Sequence, residues 1–333
     1  MDAPPTDFDT LPASEARPPE QPGPPAPPRK NGLAFFAILL GLYAVLGTAA
    51  QVANPLLGLV WSQAFALLLP AVVAASGSNL HPARALLLAR RPGVPAAALA
   101  LLIGAVGFLA AGAIMQLTSI LLPARWLEIF DISKLFERPP LERLGLTVAA
   151  ATVAPFCEEV AFRGWLLTAL RTRHSTSAAV VLSGLLFAVM HLDPVRFSAL
   201  VTLGVLYGWL TWRSGSIWPA VLAHATNNGL GLALAAASGP VTSLQAIPRT
   251  REIALGALLT LALAVFVLRF LAMAYRRATP APPPVEEAFA RGDAADPSTT
   301  FHLGRVPGGQ LAAMAAAVVS LAMLAVLAAA RHR

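Results

Sequence analysis

Charge is what this chain has least of. Only 12% of its 333 residues are Asp, Glu, Lys or Arg, about half the share of a soluble domain, so water is not its main solvent. Cysteine is nearly absent as well. Cys157 stands alone, which excludes an internal disulfide and any CxxC metal pair. Lysine is limited to Lys30 and Lys134. Neither HExxH nor GxSxG occurs, so zincin-like and serine-hydrolase chemistries lack their motifs. No apolar stretch follows a basic start within the first 30 residues, so a cleavable signal peptide is not expected.

What the chain does have is apolar sequence, 56% of it. Nine runs are expected to span a membrane: 33–53, 56–76, 94–122, 146–171, 178–192, 197–212, 217–238, 253–275 and 310–330. The expected fold is all-α, a polytopic transmembrane bundle of about eight core spans at 33–275 plus a C-terminal anchor helix at 310–333. Residues 1–32 read as a Pro-rich, disordered cytoplasmic tail and 276–309 as a polar linker. The fifth and sixth runs are short, as spans packed inside other helices can be. Between Pro123 and Arg143, Trp126, Ile129, Phe130 and Phe136 mix with both charge signs, which predicts an interfacial helix.

The net charge of +7 is almost wholly arginine. A basic balance can signal nucleic acid, but these arginines sit in short loops beside apolar runs, where they set membrane orientation. Arg29, Lys30, Arg90, Arg91, Arg276 and Arg277 all adjoin span ends and place the N-terminus in the cytoplasm. The partners expected are the lipid bilayer and a peptide or protein substrate, and no nucleic acid. An arginine-rich, lysine-poor composition points to a bacterial plasma membrane.

Six polar residues fall inside or at the edge of spans: Glu158, Glu159 and Arg163 on the fourth, His191 at the end of the fifth, His224 and Asn228 on the seventh. An ionisable group at bilayer depth costs about 2.5–3.5 kcal/mol even on the lenient insertion scale, so such residues mark function by default. Helical spacing sorts them. Glu159 and Arg163 are four apart and can pair on one face, while Glu158 is rotated by about 100° and lacks a partner on its own helix. His224 and Asn228 are also four apart and point one way. Pro155 should bend the fourth helix and free a carbonyl that polar neighbours or water must satisfy. A carboxylate in apolar surroundings suits a general base, imidazoles can orient water, bind metal or stabilise an oxyanion, and an amide donates without charge. Together they can hydrolyse an amide with no covalent nucleophile.

The runs EEVAFRGWL at 158–166, FAVMH at 187–191 and HATNN at 224–228 resemble the motifs EExxxR, FxxxH and HxxxN of the CPBP family. These are the CAAX prenyl endopeptidase-like and bacteriocin-processing or immunity membrane proteins. RSGSIWPAVLAHATNN at 213–228 is similar to that family too, and the resemblance covers a core at about 145–235. It implies an intramembrane endopeptidase, glutamic or metallo in type, in which Glu158 activates water and Glu159 orients the site through Arg163. His191 would assist the water, and His224 and Asn228 would stabilise the oxyanion or position the same water. If a divalent metal such as zinc takes part, Glu158, His191 and His224 are the expected ligands. Two other functions fit the same polar residues: a catalytically inactive scaffold or immunity protein, and a proton-coupled transporter. Many transporters carry paired broken helices in repeats, and the EE segment has no second copy here. Cys157 and Phe187 read as packing, and His81 and His174 as loop residues.

Overall fold

The computed structural model describes residues 31–78, 81–129, 138–237 and 249–279. It is all-α, with no strand among the described residues. The helices in chain order are α1 (Gly32–Ala53), α2 (Pro55–Ser76), α3 (Pro82–Ala85), α4 (Val94–Leu121), α5 (Ala124–Ile129), α6 (Pro140–Arg171), α7 (Thr176–Met190), α8 (Phe197–Ser214), α9 (Trp218–Ala237) and α10 (Arg251–Ala278).

Their boundaries follow local chemistry. Asn31 caps α1 by accepting from the Ala34 N–H, and Asn54 both breaks α1 from α2 and accepts from the Leu57 N–H at 2.8 Å, with Pro55 opening the helix. Ser175 caps α7 and Thr250 caps α10. Gly215 ends α8 at φ +65°, a left-handed position that a side chain would strain.

Helices occupy the places of the first eight expected spans, with two corrections. Five of them, α1, α2, α4, α6 and α10, are long and apolar enough to cross a membrane. Helix α7 has only 15 residues, and α8 and α9 fall short in apolarity because they carry polar residues into the interior. The interfacial helix expected at 123–143 is not one unit. Its start is the six-residue α5 and its end belongs to α6, which begins at Pro140 behind the extended Pro139. Residues 130–137, the N-terminal tail up to residue 30, and everything from residue 280, including the expected last span, lie outside the described residues.

Packing divides the interior in two. One apolar cluster joins α1, α2, α6 and α7 through residues such as Phe36, Leu39, Leu67, Phe162 and Phe187. The other joins α4, α8, α9 and α10 through Ile103, Leu203, Tyr207, Ala223 and Tyr275. Small residues bring the backbones close, as is usual between membrane helices. A Cβ on Gly204 would stand 2.7 Å from the Gly184 Cα, so only glycine permits the α7–α8 approach. Gly104 likewise rests on the Ala223 backbone, one residue before His224.

One end of the bundle carries more of the described arginines than the other. The Ile217 N–H and the Trp218 indole donate to Leu87 O and Leu88 O, and Arg213 donates to Arg276 O and Thr279 O. The loop after α3, the α8–α9 turn and the end of α10 therefore meet at the same face. Gly32 packs on Leu170, which brings the start of α1 and the end of α6 there as well.

Candidate active site

The site lies at the seam between the two apolar clusters, and α6 is built to hold it. Two π-helical turns, Ala149–Val153 and Val160–Leu166, flank Glu158 and Glu159, and such turns concentrate at functional sites. The first one follows from Pro155. In this wider register the Ala154 N–H reaches back five residues to Ala149 O. The next donor would be residue 155, which as proline has none, so Ala150 O is left without its helical partner. Asn228 supplies it: Nδ2 donates to Ala150 O at 3.0 Å. The carbonyl that the proline was expected to free is thus tied to α9, and Asn228 Oδ1 accepts from Asn227.

Glu159 is the hub. Its Oε1 accepts from Arg163 Nη1 at 3.0 Å and from His224 Nδ1 at 2.9 Å. Glu159 and Arg163 are fully buried, 0% exposed. The second arm of the guanidinium donates to Gly204 O at 2.9 Å, in the place where α7 and α8 come closest. Its face packs against Phe187 at 4.5 Å and Tyr207 at 5.6 Å, one ring from each cluster. A carboxylate paired with arginine only accepts, so the proton on His224 sits on Nδ1 and Nε2 is left to face the other way.

It faces Glu158. The distance from His224 Nε2 to Glu158 Oε2 is 3.8 Å, too long for a direct hydrogen bond. The other oxygen, Oε1, accepts from Gln63 Nε2 of α2 at 3.0 Å. Glu158 retains 9% exposure where Glu159 has none. Glu159 is locked in an ion pair with Arg163 of its own helix, and Glu158, with no partner on that helix, meets Gln63 and His224 from other helices, the division that the helical spacing predicts.

His191 joins through an aromatic neighbour. Its Nδ1 donates to Phe187 O at 2.8 Å, since a carbonyl can only accept, and its ring packs on Phe187 at 4.7 Å. The same Phe187 ring meets His224 at 5.7 Å. Tyr207 stacks on His224 from the opposite cluster at 4.8 Å and 20°. Glu158, Glu159, Arg163 and His224 therefore meet directly, His191 adjoins them across Phe187, and Asn228 secures the backbone beside them.

Three contributors escape sequence reasoning. Gln63 carries a signal, being an amide inside a span, but nothing local ties it to Glu158. Phe187 reads as ordinary packing and Tyr207 carries no signal of its own, and only their position around the imidazoles and the guanidinium gives them a part. Cys157 is buried, as a core residue would be. Both histidines direct Nδ1–H at an acceptor and leave Nε2 bare, an orientation that would suit a metal. The ligand set is not assembled: among the described residues no three His, Cys, Asp or Glu side chains are disposed to hold an ion.

Residues 140–230 match the family model for type II CAAX prenyl endopeptidase Rce1-like proteins. The segment is Rce1-like. The match begins where α6 begins, ends inside α9, and contains all six expected site residues, in agreement with the CPBP resemblance of the motifs. Together with five helices long and apolar enough to cross a membrane, the match supports an integral membrane protein that carries an Rce1-like segment. Comparison with curated proteins returns no match, and neither does comparison with solved structures. Gln63 lies outside the matched segment.

Proposed function

We propose that this protein is an intramembrane endopeptidase in which Glu158 activates a water molecule against a peptide carbonyl. The observation that carries the reading is the pair of facing acceptors, Glu158 Oε2 and His224 Nε2, 3.8 Å apart. A water between them donates one hydrogen to each and keeps a lone pair for attack. As its oxygen bonds to the carbonyl carbon, Glu158 takes one proton, and the carbonyl oxygen becomes the oxyanion. Glu158 then passes that proton to the leaving nitrogen as the C–N bond breaks, giving a carboxyl and an amine. His224 takes the water's other proton on Nε2, donates it in a hydrogen bond to the oxyanion while Glu159 balances the charge through Nδ1, and gives it up to the departing amine. Gln63 fixes the base, and His191 assists the water from across Phe187. No step passes through a metal.

The substrate class the family name suggests is a CAAX-type tail, and any peptide bond presented at the membrane fits the same chemistry. The arginine-rich end supports a cytoplasmic assignment for that face, N-terminal tail included. It carries Arg84, Arg90, Arg91, Arg171, Arg173, Arg213, Arg276 and Arg277 and no described acid, whereas the other end mixes Arg125, Arg138, Arg143, Arg196, Arg249 and Arg251 with Glu128, Glu142, Asp193 and Glu252. The membrane is then the bacterial plasma membrane.

Glu158→Gln tests the function. Crosslinked in native membranes, this variant should retain a substrate that purified wild-type protein then cleaves. Proton transfer to a positioned base is worth about 100- to 10,000-fold, so turnover by the variant should fall by at least the lower figure. Wild-type protein that binds the captured partner but leaves it intact, with binding unchanged in the variant, would replace the peptidase by a scaffold.

A further inference from the structure

Helices α4, α7, α8 and α10 line a cavity of about 510 Å³, within the roughly 300–1,000 Å³ of small-ligand sites. None of the six residues of the peptidase site lines it. Its wall is apolar, with Val180, Leu206 and Trp209 among the lining side chains, and it contains one charged group, Arg269. Thr176 and Ser177, at the start of α7, place hydroxyls on the same wall.

Arg269 is out of place by the rules of a membrane helix. It sits nine residues before Ala278, about 13 Å along α10 from the helix end. Helix α10 is apolar and largely exposed to lipid. Among the described residues Arg269 has neither a hydrogen bond nor an ion pair, unlike Arg163, Arg196 and Arg213. A cation at this depth that no described protein group neutralises is stabilised by an anion bound beside it. Such an anion must come with an apolar body, because apart from Thr176, Ser177 and Thr202 the rest of the cavity wall is apolar.

We propose that this cavity is a binding site for an anionic glycerophospholipid, with its phosphate on Arg269 and the Thr176 and Ser177 hydroxyls and one acyl chain between α4, α8 and α10. Three features favour a bilayer lipid over a soluble ligand. The cavity opens between spans, its charged group lies toward the arginine-rich end of the bundle, and Trp209 and Trp212 flank it as indoles do at headgroup level. Basic pockets between membrane helices recognise headgroups in this way. The proposal is independent of the peptidase reading.

The test uses full-length protein, delipidated in neutral detergent, and reads the thermal midpoint and lipid retention by native mass spectrometry. Added phosphatidylglycerol should raise the midpoint and remain bound, and phosphatidylcholine should do so more weakly. Arg269→Gln should lose the preference for the anionic lipid, by about fivefold in affinity, the worth of one basic side chain near an anionic surface. Arg269→Lys should keep most of it. Ala272→Phe, which fills the cavity from α10 and leaves the arginine in place, should weaken both lipids. Equal stabilisation by inorganic phosphate alone would overturn the acyl-chain part. Equal binding of the two lipids, or an undiminished preference in Arg269→Gln, would overturn the site.

Discussion

Gln63 Nε2 donates to Glu158 Oε1 at 3.0 Å across 95 residues of chain, so the base of the proposed reaction is held from α2, outside the family segment. A hydrogen bond to a charged group contributes about 1.5–3 kcal/mol. Replacing Gln63 with Met keeps the length of the side chain and removes the donor. Turnover should fall by about tenfold or more, with KM little changed, because the carboxylate still exists but is no longer fixed. The thermal midpoint in detergent should stay within a few degrees of wild type. A matching rise in KM with unchanged kcat would make Gln63 part of the substrate surface and not a positioning residue.

Removing Arg163 alone should be worse for folding than removing its whole ion pair. Arg163→Met leaves Glu159 buried with only His224 as partner, and breaking a buried pair typically costs about 3–5 kcal/mol. In Glu159→Gln/Arg163→Met no buried charge is stranded, so much of that stability should return. Activity should not return with it, since His224 would lose the acceptor that sets its tautomer. Thermal unfolding of the three proteins in one detergent decides the matter. Equal stability of the single and double variants would show that the pair is not what holds this region.

Much of this arrangement was legible in the sequence, and the limits have physical causes. The eight helix positions followed from apolar length, and the Glu159–Arg163 pair from a spacing of four. Four-residue spacing also put His224 and Asn228 on one side of α9, yet the two serve different partners, Glu159 and Ala150 O. Spacing gives direction and not destination. Glu158 looked unpartnered because only its own helix was visible, and Gln63 arrives from a helix that no local rule relates to α6. The amphipathic stretch around residue 130 misled because hydrophobic periodicity continues across Pro139 and Pro140, where the backbone cannot.

Asn228 and Pro155 should be energetically coupled. Asn228→Ala strands Ala150 O, a loss of about 1–3 kcal/mol for a buried acceptor. Pro155→Ala restores a backbone N–H that can reach that carbonyl. In the double variant the cost of Asn228→Ala should therefore shrink. A double-mutant cycle on unfolding free energy measures the coupling. Simple additivity would mean that the hydrogen bond to Ala150 O does not make up for the donor that Pro155 lacks.

The arginine-rich face makes a topological prediction. In a Cys157→Ala background, Arg91→Cys and Ala278→Cys should react with a membrane-impermeant maleimide from the same side, the cytoplasm. Leu141→Cys, at the start of α6, should react from the other. Intact cells and inverted vesicles separate the two cases. Labelling of positions 91 and 278 from opposite sides would contradict the contacts that Arg213 and Ile217 make with the two segments.

The histidines decide between bare water and metal. Each carries its proton on Nδ1 against an acceptor, so each offers Nε2 to whatever occupies the centre of the site. With water there, His224→Ala should lower turnover by about 100-fold or more, because the group that orients the nucleophile and later faces the oxyanion is gone. His191→Ala should lose less, since its imidazole adjoins the centre across Phe187 and lacks a carboxylate partner. Chelators should leave the wild type active, as no three acidic, imidazole or thiol groups are gathered around one point among the described residues. The measurement is cleavage of the substrate captured with Glu158→Gln, by wild type and both histidine variants, before and after dialysis against a chelator. Should dialysis abolish activity and zinc restore it, Glu158, His191 and His224 would become ligands of an ion. Both histidine variants would then lose zinc along with turnover, and metal content measured on the purified proteins would fall in step with activity.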